Sequence, residues 1–308
     1  MSFVPFSISV PGTTANLGPG FDSVGMAMNK YLRVMVSPSD NISFHFKGRL
    51  LKPMPLDENL IYQAAVLLCE KHGTALPSFS AVIESELHLS KGMGSSAAAI
   101  AAGIELANEL SGLNLTLKEK QWEACLLEGH PDNVVPAFSG GITISSFSEE
   151  ELLTVQAPVS DVEMVLAVPN HIWNTSESRK AMPEQLDFVS AVHAGTTSSM
   201  LVAYLMKGDW KSAGAVMGKD LYHEPYRSPF IRDFDQMKKA AAAMGAYGGA
   251  ISGAGPSVIF FTMPGTGRKI AAALAKRFSY YEFELALPDF TGIQVKKIGA
   301  ANAGARVY

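Results

Sequence analysis

Residues 89–100 read Leu-Ser-Lys-Gly-Met-Gly-Ser-Ser-Ala-Ala-Ala-Ile. Gly92 and Gly94 stand just ahead of two serines and an alanine-rich run, which sets a flexible turn against a helix N-terminus. Such a turn gathers unpaired N–H groups at one spot with the helix dipole behind them. It suits an anion, most often a phosphate. No Gly-x4-Gly-Lys-Ser/Thr occurs in the chain, so a nucleotide site here would do without a Walker motif. The alternative is a tight strand-to-helix turn that holds nothing.

Three other segments concentrate usable groups. Residues 128–137 (Glu-Gly-His-Pro-Asp-Asn-Val-Val-Pro-Ala) bring Glu128, His130, Asp132 and Asn133 within six positions. Zinc would need more ligands, and no His-Glu-x-x-His or Cys-x-x-Cys accompanies them. Carboxylates here suit Mg2+, which takes one or two protein oxygens and leaves the rest to phosphate and water. Residues 11–25 crowd four glycines and two prolines around Asn16 and Asp22. That backbone is too irregular for a helix or a plain strand, and it either aims those two groups or lets them bond their own backbone. Residues 251–261 (Ile-Ser-Gly-Ala-Gly-Pro-Ser-Val-Ile-Phe-Phe) read as a turn between strands or as backbone passing close to a ligand.

These groups need a frame. Residues 79–89 alternate apolar and polar, a half-buried strand feeding the glycine turn. A helix starts near Ser95 and stops near Gly112, and residues 57–71 form another. Residues 116–128 form a third, with Thr116 and Glu119 spaced as a capping box. A short strand follows Gly140-Gly141, and residues 162–168 are a clear apolar strand. Helices are expected near 186–206, 209–218, 231–244 and 266–278. Strands are expected near 247–251, 257–262, 281–287 and 292–298. This interleaving is α+β, divided into residues 1–157 and 158–308.

Composition narrows the field. With 47% hydrophobic and 18% charged residues the chain is globular, and 308 residues give ample core. A net charge of −4 gives no basic footprint for nucleic acid. Two cysteines, Cys69 and Cys125, exclude a disulfide scaffold and fit a reducing, cytoplasmic compartment. Met1 to Val10 carry no positive charge ahead of an apolar stretch, so no secretory leader is expected. Residues 240–267 contain no charge, but seven glycines and two prolines break them into a helix, a turn and a buried strand. No membrane span is expected.

Together, and in this order, the segments resemble the GHMP kinases, the family of galactokinase, homoserine kinase, mevalonate kinase and phosphomevalonate kinase. The three family motifs correspond to residues 11–25, 89–98 and 251–258. Within the family the likeness is to the bacterial homoserine kinases. It is carried by residues 14–22 (Thr-Ala-Asn-Leu-Gly-Pro-Gly-Phe-Asp), 128–133 and 302–307 (Asn-Ala-Gly-Ala-Arg-Val). The resemblance implies a two-domain fold, the first domain like ribosomal protein S5 domain 2 and the second ferredoxin-like, with ATP between them. It implies phosphorylation of the side-chain hydroxyl of L-homoserine to O-phospho-L-homoserine, a step towards threonine. Another kinase of the family (mevalonate or sugar type) and a non-catalytic nucleotide-binding relative are the alternatives.

Residue by residue, the resemblance assigns Ser90, Lys91, Gly92, Met93, Gly94, Ser95, Ser96 and Ala97 to the ATP phosphate loop. Ser96 and Glu128 would hold Mg2+, with Glu123 as the fallback carboxylate. Asn16, Asp22 and Asp132 would hold the substrate ammonium, while Asn133 would lie near the accepting hydroxyl with His130 beside it. Asn133, Glu128 and Ser96 are the expected catalytic set. Thr175 and Arg179 would reach across from the second domain, and Arg227 would supply a second guanidinium. Two arginines suit an α-carboxylate because each offers a planar fork of donors. Asn133 cannot accept a proton, so transfer is expected to run on positioning, with the proton passing to phosphate. His88 and Gly12 depart from the family's usual residues at their positions. The expected partner is the small-molecule substrate alone, leaving room for a homodimer.

Overall fold

The computed structural model describes residues 3–48, 54–158, 161–170 and 181–298. Two sheets carry the described fold. The larger runs β11-β1-β2-β4-β3, with β5 paired to β2 and β6 paired to β5. Its strands are β1 (Phe6–Ala15), β2 (Val24–Pro38), β3 (Ser43–Gly48), β4 (Phe79–Ser85), β5 (Ile142–Phe147), β6 (Leu152–Ala157) and β11 (Gln294–Lys297). The smaller sheet is antiparallel, in the order β10-β7-β9-β8, from β7 (Glu163–Pro169), β8 (Gly248–Ile251), β9 (Val258–Thr262) and β10 (Tyr281–Ala286). The last strand therefore returns to the first sheet, with Phe6 opposite Lys297 and Ser9 opposite Gln294.

Residues 11–25 are more regular than their composition implies. They complete β1, turn at 16–23 and open β2. Pro11 and Gly12 lie at a register shift between β1 and β2, an irregularity of the kind that admits proline to a strand. Asn16, Leu17 and Asp22 take left-handed backbone in the turn. The turn thus projects both of its polar groups out of the sheet.

Four helices cover the larger sheet: α1 (Leu60–Lys71), α2 (Ser95–Ser111), α3 (Leu117–Glu128) and α4 (Pro131–Ser139). Helix α2 is buried from Ala97 to Asn108 except at Ala99, which explains its run of alanines: small side chains let neighbouring elements close on every side. Thr116 accepts from the Glu119 N–H while Glu119 accepts from the Thr116 N–H, the expected capping box. Helix α4 was not expected. Pro131 at its first turn is well placed, whereas Pro136 inside it reads as a breaker.

The smaller sheet is covered on both faces. Met164, Leu166 and Val168 of β7, with Ile259 and Phe261 of β9, face the core shared with α5 (Phe188–Met206) and α6 (Trp210–Met217). Trp210 stacks on Phe261 at 5.0 Å between ring centroids. Val165, Ala167, Val258 and Phe260 face α8 (Phe234–Ala243) and α9 (Gly267–Arg277). Burial on both faces is why these strands read as unbroken apolar runs. A single turn, α7 (Glu224–Arg227), links α6 to α8.

Residues 240–267 fold as expected, into the end of α8, a turn, β8 and β9. Among the described helices, α5 is long and apolar enough to cross a bilayer by length and composition, with 17% of its most apolar window buried. Its C-terminal half packs into the core through Leu201 and Leu205.

Candidate active site

A cleft of about 710 Å³ opens where the turn 16–22, the glycine loop, the start of α4, Arg227 and the 252–255 turn converge. It brings together most of the expected site residues.

At one end lies the glycine loop. Ser90, Gly92 and Gly94 all have left-handed backbone, and Gly94 caps α2 with no side-chain bond to the helix. The first N–H groups of α2 therefore face the cleft without a side-chain cap. A Cβ on Gly92 would lie 2.0 Å from the Ser252 carbonyl oxygen, and one on Gly94 would lie 2.0 Å from Thr13 Oγ1. Glycine is required at both positions by space as well as by φ. Ser252 Oγ donates to the Gly92 carbonyl and accepts from Thr14 Oγ1, and the Thr13 N–H donates to the Met93 carbonyl at 3.1 Å. The loop is thus clamped between β1 and the 252–255 turn.

Not every residue of the motif faces the cleft. Ser90, Gly92, Gly94, Ser95 and Ser96 line it. Met93 and Ala97 are wholly buried beneath it, as anchors. Lys91 Nζ donates to the Pro169 carbonyl at the end of β7, which ties the loop to the smaller sheet.

Ser96 Oγ donates to Glu128 Oε2 at 3.1 Å. Glu123 instead pairs with Lys71 at 2.7 Å on the far side of α3, so the geometry supports Glu128 over that fallback. An oxygen-only donor pair beside a helix N-terminus fits a hard cation such as Mg2+, which prefers carboxylate and hydroxyl oxygens.

At the other end, atoms of Asp22, His130 and Asp132 converge within 4.8 Å of one another. His130 Nδ1 and Asn133 Nδ2 both meet Asp132 Oδ1, at 2.7 and 3.0 Å. Burial works against a charged His130 ring. The Asp132 hydrogen bond and the charges of Asp132, Glu128 and Asp22 outweigh it and hold the ring's pKa above its usual 6.5. Asn133 Oδ1 accepts from Thr13 Oγ1 at 2.8 Å. Asn16 is buried: its Nδ2 donates to the Gly253 carbonyl at 3.0 Å and its Oδ1 accepts from the Asp22 N–H at 3.0 Å. The guanidinium of Arg227 is buried against Gly253 and over the face of Phe21, 5.5 Å from the ring centroid. Thr175 and Arg179 lie outside the described residues, as does the 302–307 segment.

Sequence reasoning did not single out Thr13, Phe21, His223 or Ser252. Thr13, Phe21 and Ser252 sit inside segments already marked by their glycines, so a signal existed at the level of the segment. His223 stood in the run that carries Arg227 but drew no role.

The comparisons agree with this geometry. The family model for the N-terminal domain of GHMP kinases matches residues 59–141, and the model for their C-terminal domain matches residues 201–279. A protein of Bacillus licheniformis named homoserine kinase is 43% identical over 95% of this chain and 96% of its own length. One of Bacillus pumilus with the same name is 39% identical over 94% of each. The crystal structure of homoserine kinase from Cytophaga hutchinsonii superposes with a TM-score of 0.83 at 28% identity, covering 96% of this chain and 98% of that one. Both sheets, the glycine loop and the sequence relatives lead to one conclusion: this chain belongs to the GHMP kinases.

Proposed function

We propose that the chain is an ATP:L-homoserine O-phosphotransferase, a homoserine kinase of threonine biosynthesis acting in the cytoplasm on a small molecule. The observation that carries this reading is the charge layout of one cleft. A glycine loop and helix N-terminus suited to phosphates lie at one end. The same cleft is lined by Asp22 and Asp132 and by Arg227. An ammonium needs the acids and a carboxylate needs the guanidinium, so the far end matches an α-amino acid. Mevalonate would leave the acids unmatched, and a neutral polyol would leave both the acids and the guanidinium unmatched. Relatives at about 40% identity that bear the homoserine kinase name support the same substrate.

In this reading Gly92, Gly94, Ser95 and Ser96 bind the triphosphate, Ser96 and Glu128 hold Mg2+, and Asn16, Asp22, Asp132 and Arg227 bind the amino acid. Bound Mg2+ supplies neutralisation of charge on the phosphate oxygens. Asn133 and His130 orient the hydroxyl. The hydroxyl oxygen bonds to the γ-phosphorus as the bridge to the β-phosphate breaks, ADP departs, and the hydroxyl proton passes to a phosphate oxygen. Asp132 Oδ1 serves both His130 and Asn133, and in this reading the carboxylate holds those side chains and the ammonium instead of taking the proton. Catalysis then rests on alignment and charge. The divide at residues 157 and 158 separates the phosphate-binding half from the half that supplies Arg227.

The test is a panel of L-homoserine, mevalonate, galactose and shikimate with ATP and Mg2+, read as ADP release. Turnover confined to homoserine is expected. Preference for mevalonate or galactose would transfer the reading to another member of the family. No turnover with any of them would make the chain a nucleotide-binding relative. Asp132→Asn should raise the KM for homoserine and leave kcat within about tenfold. A kcat loss of about a hundred-fold at unchanged affinity would restore Asp132 as a base.

A further inference from the structure

His223 is wholly buried behind the cleft and does not line it. Its two ring nitrogens meet groups of opposite chemistry. Nε2 lies 3.1 Å from the Gly18 carbonyl oxygen, and Nδ1 lies 3.3 Å from Arg227 Nη1. A carbonyl only accepts and a guanidinium only donates. The ring therefore carries its proton on Nε2 and offers the Nδ1 lone pair to Arg227. Asp220 Oδ2, 3.5 Å from Nε2, favours the same tautomer.

The ring is held from every side. Asp220 accepts the backbone N–H groups of Tyr222, His223 and Glu224 at 2.8, 2.9 and 2.7 Å, which fixes the entry to α7. Phe21 stacks on the imidazole at 5.4 Å between centroids, and the Arg227 guanidinium lies over the same Phe21. Burial and the neighbouring Arg227 charge push His223 down to about 4, so it stays neutral and keeps its acceptor at physiological pH. Gly18 belongs to the turn that carries Asn16 and Asp22. Two loops 205 residues apart are thus joined through one imidazole.

Resting on the homoserine reading above, we propose that His223 is a positioning residue for the substrate carboxylate. By accepting from Arg227 Nη1 while donating to Gly18, it sets the guanidinium at a fixed distance from the ammonium-binding turn. The pocket's selectivity for α-amino acids then depends on a side chain that never touches the substrate.

The test is steady-state kinetics on the full-length enzyme. His223→Leu should raise the KM for L-homoserine about thirty-fold, leaving kcat within about threefold and the KM for ATP within about twofold. His223→Asn, whose amide oxygen falls near the Nδ1 position, should recover most of the loss. His223→Gln, which mimics Nε2, should recover less. In an Arg227→Ala background His223→Leu should add nothing, because its effect runs through Arg227. Additive penalties, an equal rise in the KM for ATP, or an unchanged KM for homoserine would each overturn the proposal. If His223→Leu does not fold, the order of the Asn and Gln variants decides, and equal KM values for the two count against it. A wild-type enzyme that ignores homoserine overturns the substrate reading and this inference with it. A wild-type enzyme that uses homoserine, beside variants that match it, overturns this inference alone.

Discussion

The two ends of the cleft are built from different materials. The phosphate end is backbone packed on backbone: Gly92 lies against the Ser252 carbonyl and Gly94 against Thr13, with no room for a methyl group on either. The amino-acid end is side chain on side chain: Asp132 with His130 and Asn133, and Arg227 with His223. A backbone cradle admits any phosphate and tolerates almost no substitution at its glycines. A side-chain pocket can be retuned one group at a time. Members of one family can therefore share the first end and differ at the second.

The comparison predicts a ranking. Gly92→Ala should cost most, about 10³-fold in kcat/KM for ATP, because the added methyl displaces the cradle itself. A variant within tenfold of wild type would erase the distinction between the two ends. Next comes Glu284 on β10, which ties the approach to the glycine loop to the smaller sheet. Its carboxylate meets His88 Nε2 and Lys30 Nζ, each at 2.7 Å, across the two sheets. The hydrogen bond from His88, against the cost of burial and aided by Lys30, lowers its pKa from 4.5 to about 2. A carboxyl depressed in the folded state stabilises above its unfolded pKa. That contribution, roughly 3 kcal/mol, is lost as pH falls from about 4.5 towards 2. Denaturant titrations of wild type and Glu284→Gln should differ by up to that amount at pH 7 and converge near pH 2. A gap that persists in acid would show that packing, not charge, joins the sheets there.

At the other end, Arg227→Ala should raise the KM for homoserine about thirty- to a hundred-fold with the KM for ATP unchanged. Equal losses for both substrates would mean that the ends are one mechanical unit. The smallest effect belongs to Thr13, which touches both ends through Gly94 and Asn133. Thr13→Val removes one hydrogen bond, about 1 kcal/mol, so kcat should fall about fivefold and Thr13→Ser should restore it. No loss in single-turnover measurements would leave Asn133 held by Asp132 alone.

How much was legible follows the same divide. The glycine loop is local, so its turn and its helix were readable from a dozen residues. Strands β7 and β9 were readable because burial on both faces leaves an unbroken apolar run. Strand β1 was hidden by Pro11 and Gly12, whose place at a register shift no local pattern reveals. Helix α4 was hidden by Pro136 and by polar residues that drew a chemical reading instead of a structural one. Of the amino-acid end, Asp22 and Asp132 stood out by residue type and spacing, but their role toward an ammonium, and Arg227 altogether, could be named only through resemblance. His223 stood in the run that carries Arg227 but drew no role, since its meaning depends on Gly18, 205 positions away.

Strand β11 closes β1 across a long separation in sequence, with Phe6 facing Lys297. During synthesis the outer edge of β1 must therefore wait, its N–H and C=O groups unpaired, until residues 294–297 have also left the ribosome. An open edge is a template for pairing with other chains, and closure over so long a separation is slow. The nascent protein thus has a long interval in which a chaperone, or a neighbouring chain in error, can occupy the place kept for β11.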